Sequence, residues 1–144
     1  MDAVFMHQNS SDQKNDDPIC LLVEDCTSVA KAMMNCIKRQ NWQVHLAQDG
    51  NSALDLLKSR RWNIILMDDQ LPIMSGSECV LKFREWEQKE NRKFRQNNLF
   101  LCSADAHHDD DLSILGFDGV LSKPIQMPKL ISTLHKCALD RNVT

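Results

Sequence analysis

Residues 66–76 read LMDDQLPIMSG: the apolar run WNIIL that opens at Trp62 ends in two aspartates, Asp68 and Asp69, and Pro72 follows shortly after. A strand built to be buried does not normally finish in paired charge, so the reason for those carboxylates decides how the chain is read. Four other short apolar runs occur, ICLLVE (19–24), WQVHLA (42–47), NLFLCS (98–103) and GVLS (119–122). Segments of helical period separate them, at roughly 28–40, 51–59, 77–91, 106–115 and 127–140. Short, almost continuously apolar strands alternating with amphipathic helices are the pattern of a parallel sheet covered on both faces. The expectation is a doubly wound α/β fold with a five-stranded parallel sheet.

Such sheets bind ligands outside the carboxyl ends of their strands, where the strand order reverses. Four of the five strand ends carry chemistry: Glu24 and Asp25 after the first, Asp68 and Asp69 after the third, Ser103 on the fourth, Lys123 and Pro124 after the fifth. In a flavodoxin-like sheet of order 2-1-3-4-5 the first and third strands are neighbours at the switch point, which brings Glu24, Asp25 and Asp68 into one crevice. Crowded carboxylates in a partly desolvated site must either take up protons or bind a cation, and an all-oxygen set suits Mg²⁺. Side chains alternate along a strand, so only one of Asp68 and Asp69 enters that crevice. Asp69 and Ser103, taken singly, also suit turn or helix-cap positions.

The whole-chain numbers narrow the classes. A chain of 144 residues with net charge -3 is sized for one domain and offers no general attraction to nucleic acid. Residues 1–17, rich in Asn, Asp, Gln and Ser, read as a flexible tail before a domain over 18–140, with 141–144 as a short C-terminal tail. The six cysteines form no CxxC pair and fall mostly in apolar runs, which implies reduced core thiols. No apolar run reaches the roughly 18 residues of a membrane span, and no secretory signal opens the chain. A soluble monomer of the cytoplasm, or of the nucleus, is expected. The local basic patch of Lys89, Arg92, Lys93 and Arg95 reads as a solvated loop. The pair His107 and His108, followed by Asp109, Asp110 and Asp111, reads as an acidic first turn of a helix and not a metal site.

In order along the chain, LLVED, ILMDDQLPIMSG, LCSAD and LSKPI resemble the four signature segments of response-regulator receiver domains. The resemblance covers roughly residues 19–139 and implies a chemotaxis-regulator-like (βα)5 fold. It implies that Asp68 accepts a phosphoryl group from a phosphohistidine on a histidine kinase or histidine-phosphotransfer protein. It further implies that Asp25, Glu24, Asp68 and the backbone carbonyl of Gln70 hold Mg²⁺, and that Ser103 and Lys123 stabilise charge on the phosphoryl oxygens. Signalling would then proceed by altered partner binding, in a phosphoacceptor domain with Mg²⁺-dependent self-phosphorylation and autodephosphorylation and not an enzyme. Ser103 is also the switch position. At Val120, three residues before the lysine, receivers often carry an aromatic switch residue, so the usual aromatic swing is in doubt here.

The first helix offers the one clue to docking. At about 100° per residue, Val29, Ala30, Ala32, Met33, Met34, Cys36 and Ile37 fill an arc of roughly 200°, wider than one sheet-facing stripe needs. Val29 and Met33 are therefore expected on the exposed flank, in contact with the phosphodonor. No output module is expected after the fifth helix. Two alternatives stand beside this reading: the receiver portion of a hybrid histidine kinase, and a small metal-dependent phosphatase or phosphotransferase, since the same carboxylate, metal and lysine set serves both chemistries.

Overall fold

The computed structural model describes residues 17–91, 95–105 and 109–139, apart from the side chains of 109 and 110. The expected tails over 1–17 and 141–144 lie outside these residues save for Asp17, as do His107, His108, Arg92 and Lys93. Strands β1 (Ile19–Val23), β2 (Gln43–Ala47), β3 (Ile64–Asp68), β4 (Leu99–Ser103) and β5 (Gly119–Ser122) alternate with helices α1 (Thr27–Arg39), α2 (Gly50–Ser59), α3 (Gly76–Lys89), α4 (Asp109–Leu115) and α5 (Met127–Cys137). The strands are all parallel and run in the order β2-β1-β3-β4-β5. The expected topology is the observed one.

Every residue of β1 and β3 is buried, because helices cover both faces of the sheet at its centre. One face packs on Ala53 and Leu57 of α2, Cys79, Val80 and Phe83 of α3, and Leu112 of α4. The other packs on Ala30, Met33 and Ile37 of α1 and Leu130, Leu134 and Cys137 of α5. The helices start where their caps stand. Asp49 accepts from the Ser52 amide at 2.7 Å before α2, and Ser75 accepts from the Glu78 amide at 3.1 Å before α3.

Several boundaries differ from expectation for local reasons. β3 begins at Ile64, not Trp62, because Asn63 turns its side chain to accept the Ile19 amide at 2.9 Å and Trp62 pairs with the Gln96 side chain instead. The last helix stops at Cys137. Cysteines 20, 79, 102 and 137 are buried as expected, Cys36 is half-buried, and Cys26 stands exposed at the start of α1.

The extension after α3 is tied down at one point, more firmly than the solvated loop expected of the basic patch. Arg95 pairs with Asp118 at 2.9 Å, beside Arg84, which reaches both Glu87 at 2.8 Å and Asp118 at 3.3 Å. Glu87 in turn accepts from the Gln96 amide at 2.7 Å, so the chain re-enters β4 through a satisfied buried network. Among the described residues, no helix is long and apolar enough to cross a membrane.

Candidate functional site

Register carries the site. Val23 stands opposite Met67, Asp68 opposite Cys102, and Ser103 opposite Ser122, so the residues at the strand tips converge on one edge of the sheet. Lys123 is held there by its own backbone, whose N–H donates to the Ser103 carbonyl at 2.8 Å. The Lys123–Pro124 peptide that follows is cis.

Asp68 is 4% exposed, and its Oδ1 accepts from Lys123 Nζ at 2.7 Å and from the Gln70 amide at 3.1 Å. Lys123 Nζ also stands 3.9 Å from Glu24 Oε1. Glu24 is buried and accepts from the Cys26 amide at 3.1 Å, while Asp25 is exposed. One carboxylate oxygen from each of Glu24, Asp25 and Asp68 lies within 4.8 Å of the other two.

The electrostatics match the crowding. Burial is the main force pushing the Glu24 carboxyl up to about 7; the Cys26 amide opposes it and the Asp68 charge adds to it. For Lys123, desolvation works to lower the ammonium, but the hydrogen bond and charge of Asp68, followed by the charge of Glu24, outweigh it and raise the group. Three carboxylates share one ammonium here, Lys123, and the donor set of hard oxygens fits a small divalent cation.

Asp69 takes the other direction that strand geometry predicts. Its side chain accepts from the Ser77 hydroxyl at 3.0 Å and its carbonyl from the Gly76 amide at 3.0 Å, which joins the end of β3 to the start of α3. Ser103 is 3% exposed; its hydroxyl oxygen accepts from the Asp105 amide at 3.1 Å. It borders a small cleft of about 80 Å³ shared with Asp68, Asp69, Gln70 and Lys123. Val120 is half-buried and packs against the core on the α2, α3 and α4 side.

On the other side of Asp68 opens a groove of about 820 Å³, walled by α1, the loop after β3 and the turn into α5. The docking expectation needs one correction here. Met33 is only 3% exposed because it belongs to the core under α1, so it forms groove floor and not free surface. The exposed flank of α1 is Val29, at 42%, with Ala32.

Sequence reasoning also passed over several residues. Leu71, Pro72 and Ile125, from loops, and Met127, the first residue of α5, line the groove, and nothing in their sequence period marks them. Gly76 was legible in principle, as a glycine at the first position of a helix just after an acidic strand end. A Cβ on it would stand 2.2 Å from the Asp68 carbonyl oxygen, so only glycine lets α3 start against the phosphoacceptor candidate.

This geometry has close counterparts. The chain belongs to the response regulator receiver domain family, whose model matches residues 20–135. Hybrid signal transduction histidine kinase E of Dictyostelium discoideum is 33% identical over 119 residues, which is 81% of this chain and 7% of that protein. The chain spans less than half the length of the first curated relatives it matches. Among solved structures, the receiver domain of sensor histidine kinase PA1611 from Pseudomonas aeruginosa, with a magnesium ion coordinated in its active-site cleft, superposes with a TM-score of 0.70 at 26% identity, covering 85% of this chain and 98% of that one. The Saccharomyces cerevisiae Ssk1 receiver domain, crystallised with the histidine-phosphotransfer protein Ypd1, gives a TM-score of 0.74 at 21% identity, covering 87% and 94%.

Proposed function

We propose that this receiver takes a phosphoryl group from a phosphohistidine onto Asp68 and signals through altered partner binding. The observation that carries the reading is the convergence on Asp68: Lys123 Nζ at 2.7 Å, with Glu24 and Asp25 completing an acidic set. The Asp68 oxygen forms the new O–P bond as the P–N bond of the phosphoimidazole breaks. The imidazole keeps the electron pair and takes up a proton.

Glu24, Asp25, Asp68 and the Gln70 carbonyl are the residues to hold Mg²⁺, which supplies charge neutralisation between the carboxylates and the incoming phosphoryl oxygens. Lys123 contributes a fixed ammonium on the same edge, available to phosphoryl oxygens once its bond to Asp68 is shared. Ser103 supplies a hydroxyl beside the small cleft, and it is the group to reorient when the cleft fills. Val120 packs beneath that edge and follows Ser103 with little change of volume. Asp69 and Gly76 orient the Asp68 backbone and do no chemistry.

The donor is a histidine kinase or a histidine-phosphotransfer protein, docking over the groove beside α1. Val29 is the exposed α1 contact and Met33 supports it from below. A Val29→Glu variant is expected to slow transfer from a phosphohistidine donor while labelling by acetyl phosphate stays unchanged.

The direct experiment is intact-mass measurement after incubation with acetyl phosphate and Mg²⁺. One phosphoryl group is expected on the native chain and none on Asp68→Asn. Continuous release of phosphate with no adduct at any time would instead favour a small phosphatase and remove the phosphoacceptor reading.

A further inference from the structure

Helix α3 interleaves its surface charges: Glu78 stands four residues before Lys82 and Glu85 four before Lys89, the spacing that pairs opposite signs on one helix face. Helices α1 and α5, packed together on the other face of the sheet, do the opposite. They carry Lys31, Lys38, Arg39, Lys129 and Lys136, all exposed, and no aspartate or glutamate. Five positive charges therefore share one face of a chain whose net charge is -3. None of the five has an ion-pair partner among the described residues, whereas Arg84, Arg95 and Lys123 are all paired. Asp118 shares a shallow hollow with Lys136, but Arg84 and Arg95 already hold it.

Helix stability does not explain this pattern. The macrodipole favours cations in a last turn, which accounts for Lys38, Arg39 and Lys136, and disfavours them in a first turn, where Lys129 stands. Neither helix has an acidic residue in its first turn to answer the dipole. Four of the five are lysines, compact charges on flexible stems without the planar fork that fixes one geometry. A folded protein partner presents fixed carboxylates, whereas mobile headgroups adapt to cations that nothing in the chain holds still. No aromatic residue occurs on either helix to stack on bases, and both are packed along their length on the sheet, which keeps them out of a nucleic-acid groove. We propose that the α1/α5 face rests on an anionic lipid bilayer, held by its phosphate-bearing headgroups and not inserted across it. His135 Nε2 meets Gln40 Oε1 at 3.3 Å and ties together the C-terminal ends of the two helices, where Lys38, Arg39 and Lys136 stand. Those ends lie across the sheet from Asp68, at the far ends of the strands, so lipid contact there leaves the acidic site free.

The test is cosedimentation of the full chain with vesicles of phosphatidylcholine alone, or of phosphatidylcholine with about a third of phosphatidylserine, at low and at high salt. The chain is expected to sediment with the anionic vesicles only and to be released at high salt. Lys38→Gln, Arg39→Gln and Lys136→Gln together should weaken that binding about a hundredfold, at about fivefold per charge. Lys31→Gln with Lys129→Gln, nearer the other ends of the same helices, should weaken it about thirtyfold. Lys82→Gln with Lys89→Gln removes the same net charge from α3 and should change it by at most about twofold. Urea midpoints of all three variants are expected to stay near the native value, since the replaced side chains are exposed.

Equal binding to both kinds of vesicle, binding to neither, or equal losses from the α3 pair and the Lys31 and Lys129 pair would overturn the assignment. Binding to a short DNA duplex without binding to anionic vesicles would give the face to nucleic acid, and self-association at low salt without vesicle binding would give it to a second copy; either overturns the lipid contact. A lowered urea midpoint in both α1/α5 variants would make these charges structural and overturn it too. Labelling of Asp68 enters none of these readouts, so failure of the phosphoacceptor reading and failure of the lipid contact are told apart.

Discussion

Gly76→Ala separates the role of this glycine from generic helix effects. The added Cβ would stand 2.2 Å from the Asp68 carbonyl oxygen and 3.0 Å from its carbonyl carbon. A relaxed carbon-to-oxygen contact is about 3.3 Å, so α3 must withdraw from β3 by about 1 Å. The obstacle is backbone in a fully buried central strand, and it cannot rotate away. Withdrawal also stretches the Gly76 amide from the Asp69 carbonyl and loosens Cys79, Val80 and Phe83 in the core. Overpacking of this kind costs about 1–3 kcal/mol, and the rigid obstacle puts this variant near 3 kcal/mol, a large part of the roughly 5–15 kcal/mol that stabilises a domain. Gly50→Ala is the milder control: its nearest contacts are Met74 Cβ and Sδ at 3.0 Å, a loop side chain that shifts by a few tenths of an ångström more easily than strand backbone. The helix-propensity gain of alanine, about 1 kcal/mol, offsets that adjustment. Urea unfolding followed by circular dichroism reads both variants. Equal losses for the two glycines, or a loss under about 1 kcal/mol for Gly76→Ala, would refute the argument.

Three other outcomes follow from the same geometry. Lys123→Ala removes the ammonium 2.7 Å from Asp68, and acetyl phosphate labelling should slow by about tenfold or more, read by intact mass over time. Because the folded pKa of Glu24, about 7, exceeds its unfolded value, the folded metal-free chain holds the extra proton between those two values. The stability Glu24 contributes is present at pH 4 and is lost as pH rises through 7, so Mg²⁺ should raise the melting temperature more at pH 8 than at pH 6. At the far end of the sheet, Glu87→Ala leaves the buried Gln96 amide without its acceptor and Arg84 with Asp118 as its remaining carboxylate, and should cost about 1–3 kcal/mol in urea unfolding, whereas exposed Glu85→Ala should stay within about 0.5 kcal/mol.

How much could be read from the sequence depended on whether the signal was local. Strand count and the polar strand ends Glu24, Asp25, Asp68 and Lys123 were legible from continuous apolar runs that mark strands buried on both faces, while the strand order and the meeting of those ends came from the doubly wound sheet type and the receiver resemblance. The split between Asp68 and Asp69 was legible for the same reason, from alternation along a strand. Met33 was misplaced because a 200° arc does not say which edge meets the sheet; only the packing of α1 against α5 decides that. The groove wall of Leu71, Ile125 and Met127 was hidden, since loops and the start of α5, from distant parts of the chain, assemble it. The turn at Ile73, whose φ is +71°, was hidden too, because isoleucine gives no warning of a positive φ. Arg95 read as solvated because its partner, Asp118, lies 23 residues away along the chain.

The central claim is that, of the two adjacent aspartates, it is Asp68, grouped with Glu24 and Asp25 and bonded to Lys123, that takes the phosphoryl group. Borohydride trapping tests it most directly, since the acyl phosphate is reduced to homoserine at the modified position and peptide sequencing by mass spectrometry locates it. After acetyl phosphate and Mg²⁺, homoserine is expected at position 68 and nowhere else. Homoserine at Asp69 or Asp25, or none on a chain that still releases phosphate from the donor, would contradict the account.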